Sequence, residues 1–250
     1  MGIVRVEVLD LDTVEWRHST NLNLTIGDHA DVWRVKINDH LSLIGKLKKL
    51  LLPDEIARAG RYYQEKDRHR FIVSRASLRV ILGWYLNQKP EDIRFQTGTN
   101  KKPFVETAGI AVNYNVSHSD EWVTIAVSET AVGIDTEKID PSFDYREILT
   151  DNFSEDEISF INQNNPAEKF ILLWTRKESI TKLTSQGLDE RIKHIPSLNG
   201  DHKISDEIIH SSQAIKLVSF KLDNSNLATL AYEHEDLIPI LFLDIDLTLI

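Results

Sequence analysis

The sequence has no cysteine. That single absence excludes disulfides, thiolate metal sites and cysteine nucleophiles. Long apolar runs are missing too: none reaches the ~18 residues a membrane helix needs, and the longest candidate, residues 237–250, is interrupted by Asp244 and Asp246. The chain opens Met1-Gly2-Ile3-Val4-Arg5-Val6-Glu7, with charges where a signal peptide needs an apolar stretch. The expectation is a cytoplasmic protein with no membrane partner. There is no excess of positive charge either. With 29 Lys and Arg against 39 Asp and Glu, the net charge is −10, which speaks against nucleic-acid binding because neutralising phosphates needs clustered cations. A local basic pocket for a small polyanion remains compatible with that balance. What is present suffices for a packed core: 41% hydrophobic and 27% charged residues over 250 positions, enough for one large domain or two small ones.

Apolar alternation predicts strands over 3–9 and 31–37. Residues 41–52 have a helical pattern, basic on one face through Lys46, Lys48 and Lys49, which stops at Pro53. Pro53-Asp54-Glu55 is suited to opening the next helix. A long helix is expected over 67–86, a turn over 100–103, and strands over 122–127 and 131–137 separated by a polar break at Ser128-Glu129-Thr130. Ser154 and Glu157 have the spacing of a capping box. A second long helix is expected over 167–183, closed by Gly187, and the tail from Ala214 returns to strands. Phe71, Arg75, Leu78 and Arg79 on the first long helix echo Phe170, Trp174, Lys177 and Glu178 on the second. The echo predicts two similar α+β lobes, 1–129 and 130–250.

Three constellations carry chemistry. In a strand, Gly133, Asp135 and Glu137 share one face. Two like charges side by side repel unless something positive lies between them. Magnesium suits such a pair, because it takes oxygen ligands, keeps several waters and completes its shell with substrate phosphates. Gly133 would admit a phosphate or a neighbouring backbone. The other reading is an edge strand with a solvated acidic face. On the second helix, Phe170, Trp174, Glu178 and Lys182 form one stripe. Glu178 is a candidate third carboxylate and Lys182 a phosphate contact; the alternative is a Glu–Lys surface pair worth ~0.3–0.5 kcal/mol. Asn115-Val116-Ser117-His118-Ser119-Asp120 suits phosphate binding through hydroxyls and an imidazole, and lacks the glycine pattern of a hydrolase nucleophile elbow. Leu243-Asp244-Ile245-Asp246-Leu247-Thr248 spells a phosphatase motif, but that motif must open a Rossmann-like domain and here it ends the sequence. It reads as a terminal strand with exposed acids.

In order and spacing, Ser117-His118-Ser119, Gly133-Ile134-Asp135-Thr136-Glu137 and Trp174 through Lys177-Glu178-Ser179 to Lys182 resemble the signatures of the surfactin-type 4'-phosphopantetheinyl transferases. Tyr62-Tyr63, Asp67, His69-Arg70, residues 92–103 and Phe153-Ser154 with Glu157 extend the resemblance over 53–187. The resemblance implies an α+β fold of two pseudo-symmetric lobes, each a small, mostly antiparallel sheet packed on a long helix, with the active site at the lobe interface. It implies a monomeric enzyme of the holo-acyl-carrier-protein synthase type. Such an enzyme moves the 4'-phosphopantetheine arm of coenzyme A to a serine of an acyl or peptidyl carrier protein and releases adenosine 3',5'-bisphosphate. It further implies that Asp135, Glu137 and Glu178 hold Mg2+ and that Lys182 neutralises the phosphates. Lys102, Ser117 and His118 would contact the nucleotide phosphates, with Arg58 and Arg70 in the same pocket. Glu157, Glu178 or a metal-bound water would take the acceptor's proton. Two positions depart from the pattern: Glu55 stands where a basic residue is usual, and Lys101 where glycine is usual. The competing reading is a coenzyme-A-binding or carrier-binding relative without catalysis. A metal-dependent nuclease is disfavoured by the acidic charge.

Overall fold

The computed structural model describes residues 2–19, 24–98, 102–107, 109, 111–187 and 189–249. Of the turn expected over 100–103, Asn100 and Lys101 lie outside the described residues. The alternating segments form strands because alternate side chains find apolar cover. Twelve strands are described: β1 (Ile3–Asp10), β2 (Arg17–His18), β3 (Ala30–Lys36), β4 (Phe95–Thr97), β5 (Pro103–Val105), β6 (Asn113–Ser119), β7 (Trp122–Ser128), β8 (Val132–Lys138), β9 (Gly200–Ser205), β10 (Ile215–Lys221), β11 (Asn226–Glu233) and β12 (Ile240–Asp244). They make two five-stranded sheets, ordered β2-β12-β3-β7-β6 and β8-β11-β10-β1-β9, and a small β4–β5 hairpin.

Each sheet packs one face on a long helix. The first helix, Glu65–Leu86, lays Val73, Ala76, Val80 and Ile81 on a cluster that includes Trp33, Val35, Val123 and Ile125. The second, Pro166–Thr184, contributes Ile180 and Leu183 to a cluster with Val4, Val6, Val8, Ile215 and Leu217. Burying each such aliphatic side chain stabilises the fold by roughly 1.5–3 kcal/mol. The opposite faces of the sheets meet each other: Val32 and Ala126 of one join Ile134, Phe220, Leu230 and Tyr232 of the other.

The lobes share a plan. In each, an antiparallel trio, β3-β7-β6 or β8-β11-β10, has its long helix between the first and second strands in sequence. The expected division at 129/130 falls in the loop between β7 and β8, but the chain ends cross it. β1 runs parallel to β10 in the second sheet, and β12 runs parallel to β3 in the first. A division at that loop therefore leaves each sheet without one strand.

Other differences have local causes. Residues 41–52 do not form one helix. They wind through 3-10 turns at Ile37–Leu43 and Lys48–Leu50 around a single α-turn at Ile44–Leu47; Asn38, Asp39, Ser42 and Gly45 are all weak helix formers. Ser185 (φ 60°), not Gly187, takes the left-handed position directly after the second helix. Asp244 is not a freely exposed acid. Arg34 grips it in a fork at 2.6 and 2.8 Å, donates to Leu222 O at 3.0 Å, and places its guanidinium carbon 4.1 Å from the Trp16 ring and 5.1 Å from Trp122. Among the described residues, no helix is long and apolar enough to cross a membrane.

Because the lobes exchange strands and share the Val32–Ile134 core, they should unfold together. Urea transitions followed by tryptophan fluorescence and by far-ultraviolet circular dichroism are expected to coincide; two separated midpoints would contradict the shared core.

Candidate active site at the lobe boundary

β6 ends the first sheet and β8 begins the second, so two sheet edges face each other. They are joined by side chains. Asn115 Oδ1 accepts from Ile134 N at 2.9 Å, Ser117 Oγ from Thr136 N at 3.2 Å, and Ser119 Oγ from Lys138 N at 3.2 Å. The period of two in β6 matches the period of two in β8. The hydroxyls also donate: Ser117 to Asp135 Oδ1 at 3.0 Å and Ser119 to Glu137 Oε2 at 2.8 Å. Thr124 and Thr136 add a hydroxyl contact of 2.6 Å across the same boundary.

Gly133, Asp135 and Glu137 do share the face turned to the second helix. A Cβ on Gly133 would lie 2.1 Å from Ser179 O and 2.5 Å from Leu183 N, so the close approach this glycine permits is that of the helix backbone. Seated there, the helix delivers Glu178 and Lys182 to the acidic strand. Lys182 Nζ bonds Asp135 Oδ1 at 2.6 Å and Ser117 Oγ at 2.9 Å. Lys182 therefore pairs across the elements rather than with Glu178 along its own helix.

The electrostatics are those of a crowded acidic groove. Burial, then the charge of Asp135, raise the carboxyl of Glu178 to about 7; Glu137 adds to the rise and Lys182 opposes it. Glu137 is raised for the same two leading reasons. The buried Asp135 keeps one oxygen, Oδ2, with no hydrogen-bond partner among the described residues. At the rim, His118 is exposed, yet desolvation is the largest cause of its lowered pKa; the positive charges of Arg70 and Lys182 lower it further, against a backbone hydrogen bond that raises it. Arg70 is thus brought to the same cluster, oriented by Asp67 at 2.7 Å.

Three other expected site residues, Glu157, Lys102 and Arg58, have surroundings of their own. Glu157 is only 3% exposed, and its carboxylate is fully engaged. It accepts from Ser154 N at 2.8 Å in the capping box, takes both the amide and the hydroxyl of Ser197, and pairs with Lys177 at 3.0 Å. No oxygen remains to take a proton from an acceptor, which corrects the reading of Glu157 as a base. Lys102 turns its ammonium to Val132 O at 3.1 Å and Leu183 O at 3.2 Å, tying the first-lobe hairpin to the second lobe. Arg58 is exposed, with its guanidinium 5.2 Å from the Phe71 ring. Glu55, the departure from the family pattern, is buried and binds Arg75 and Arg79 of the first helix. Neither arginine was singled out for this from sequence; the signal was a buried acid at the third position of a helix.

Among the described residues no three His, Asp or Glu side chains are gathered into a ready metal cage. Magnesium does not need one, since it is typically held by one or two carboxylates plus substrate phosphates. The unpartnered Asp135 Oδ2 and the mutual repulsion of Asp135, Glu137 and Glu178 fit a hard divalent cation.

Burial lowers Lys102 to about 8, well under the usual 10.5. Between those values the unfolded chain holds a proton that the folded chain has released, so folding stability rises with pH across that window. Relative to Lys102→Met, wild type should gain on the order of 1–3 kcal/mol in urea-unfolding free energy between about pH 8 and 10.5. A pH-independent difference would show that the ammonium is not buried as described.

The geometry agrees with sequence comparisons. The family model described as the N-terminal part of 4'-phosphopantetheinyl transferase matches residues 38–130, and that of the 4'-phosphopantetheinyl transferase superfamily matches 131–230, so the two meet at the β7–β8 loop. The 4'-phosphopantetheinyl transferase HetI of Nostoc sp. strain PCC 7120 is 32% identical over 173 residues, covering 66% of this chain and 73% of the relative. The 4'-phosphopantetheinyl transferase Sfp of Bacillus subtilis strain 168 is 26% identical over 195 residues, 76% of this chain and 86% of the relative. The 4'-phosphopantetheinyl transferase gsp of Aneurinibacillus migulanus reaches 37% over 131 residues, 51% of this chain and 53% of the relative. With two family models together matching residues 38–230, the chain belongs to the surfactin-type branch of the 4'-phosphopantetheinyl transferase superfamily.

Proposed function

We propose that the chain transfers the 4'-phosphopantetheine arm of coenzyme A to a serine of an acyl or peptidyl carrier protein, with Mg2+ held by Asp135, Glu137 and Glu178. The observation that carries this reading is the buried, unpartnered Oδ2 of Asp135, set among two further carboxylates and the ammonium of Lys182. The serine oxygen of the carrier attacks the pantetheine-side phosphorus of the pyrophosphate. The bond from that phosphorus to the bridging oxygen breaks, and adenosine 3',5'-bisphosphate departs with the electron pair. The bound cation supplies charge neutralisation on the pyrophosphate.

The chain's own residues do the rest. Glu178 takes the serine proton; of the two acids considered, it is the one whose carboxylate faces the groove. Lys182 is held by Asp135 and Ser117 and offers a preplaced cation to the charge that develops on the leaving phosphate. Arg70 supplies the positive charge at the rim for the nucleotide's phosphates and His118, kept neutral by its surroundings, a hydrogen-bonding ring beside it; Arg58, 5.2 Å from the Phe71 ring, is a further candidate phosphate contact. Lys102 acts by joining the hairpin to the second lobe, and Ser117 by holding Asp135.

Three measurements test this. Transfer should stop in excess chelator and return with Mg2+, and full activity without a divalent cation would refute the carboxylate assignment. Lys182→Ala should slow single-turnover transfer at saturating coenzyme A by on the order of 10²–10³; a variant turning over like wild type removes Lys182 from the mechanism. Glu157→Gln should lower stability by leaving Lys177 buried without its counter-charge, on the order of 3–5 kcal/mol, while folded protein retains its turnover rate.

A further inference from the structure

Among the described residues, β8 has no backbone partner on its outer side. Its outward N–H groups at Ile134, Thr136 and Lys138 are each met by one side chain of β6. The chemistry of the three rungs is not uniform. Each N–H follows a residue on the groove face: Gly133 before Ile134, Asp135 before Thr136, Glu137 before Lys138. Where that residue is glycine, the rung is an amide oxygen, used here as an acceptor from the backbone. Where that residue is a carboxylate, the rung is a serine. A hydroxyl accepts and donates at once. The oxygen that satisfies the N–H therefore passes its proton to the neighbouring acid, Ser117 to Asp135 and Ser119 to Glu137.

We propose that Ser119 and Ser117 are positioning residues that fix the Glu137 and Asp135 carboxylates for the divalent cation, with Asn115 as a rung that only joins the strands. This rests on the reading of Asp135 and Glu137 as cation ligands. The donated hydroxyl proton occupies one oxygen of each acid, Oδ1 of Asp135 and Oε2 of Glu137, which settles the rotamer against the repulsion between the two side chains. On Asp135 the remaining oxygen is the buried, unpartnered Oδ2. Ser117 also receives Lys182, so its loss would disturb two groups at once. Ser119 touches Glu137 and the Lys138 N–H, and it is the cleaner residue to test.

The test uses the full chain with coenzyme A present and Mn2+ as the probe, its binding followed by loss of the free-ion electron paramagnetic resonance signal. Hydrogen-bond partners of metal ligands typically contribute 10–100-fold in affinity, so Ser119→Ala should weaken Mn2+ by about 10-fold or more, whereas Ser119→Thr, which keeps the hydroxyl, and Asn115→Ala should stay within about 2-fold of wild type. Asn115→Ala should still lower the thermal midpoint, because it leaves the Ile134 N–H unsatisfied. Wild-type Mn2+ affinity in Ser119→Ala would overturn the proposal. So would an equal loss in Asn115→Ala, which would make the rungs mere fasteners. Asp135→Ala separates the two levels: if it binds Mn2+ as wild type does, the cation reading itself fails and the positioning role falls with it.

Discussion

The lobe boundary depends on how one sheet edge is satisfied. A strand with unpaired N–H groups is either covered or left to pair with another chain, and a buried N–H left without a partner costs about as much as a lost hydrogen bond. β8 is covered by β6, but by side chains instead of backbone. The serines among those side chains also donate to the Asp135 and Glu137 carboxylates. A backbone ladder would have joined the lobes equally well and left the hydroxyls no such double use.

The second constraint is Gly133. Helices usually rest on sheets through side chains on both sides; here the backbone at Ser179 and Leu183 comes down directly on the strand, into space that any Cβ would fill. Ser179 and Leu183 are four residues apart, and each is preceded by a side chain of the acidic groove, Glu178 and Lys182. The contact that seats the helix therefore also fixes where its carboxylate and ammonium arrive. Lys177, on another side of the same turn, goes the opposite way, into the core, to Glu157 and to carbonyls of Ile192 and Ile195. Three consecutive residues, Lys177-Glu178-Ser179, thus anchor the helix, face the groove and touch the strand.

Much of this was legible in the sequence because it is local. The strand period placed Gly133, Asp135 and Glu137 on one face, the helical period put Glu178 and Lys182 together, and the capping box at Ser154 and Glu157 formed in both directions. The misread parts are those decided at long range. Glu157 looked available because Lys177 and Ser197, which occupy it, lie 20 and 40 residues away in sequence. The partners of the Ser117 hydroxyl were likewise hidden, because Asp135, Thr136 and Lys182 come from other elements. Glu55 looked like a lost cation, yet it is the first lobe's version of the Glu157 device. In each lobe a glutamate at the third position of a short helix reaches back to the preceding N–H and is paired with a cation of the long helix, Arg79 in one and Lys177 in the other.

That shared scaffold raises the question of why only one lobe carries the acidic groove. The first strands of the two trios, β3 and β8, both turn alternate residues toward their long helices. In β3 these positions include Trp33 and Val35, which fill the space; in β8 they are Gly133, Asp135 and Glu137. The terminal strands reinforce the difference. β12 joins the first sheet beside β3, so that strand lies in the sheet interior. β1 joins the second sheet at the opposite end of the trio, beside β10, and leaves the outer side of β8 to the side chains of β6. Had β1 been added beside β8, the strand's N–H groups would have gone into a backbone ladder and β6 would have had nothing to meet. The site exists at β8 because β12 and β1 extend their sheets on non-equivalent sides, which leaves β6 and β8 as edge strands and sets those two edges face to face.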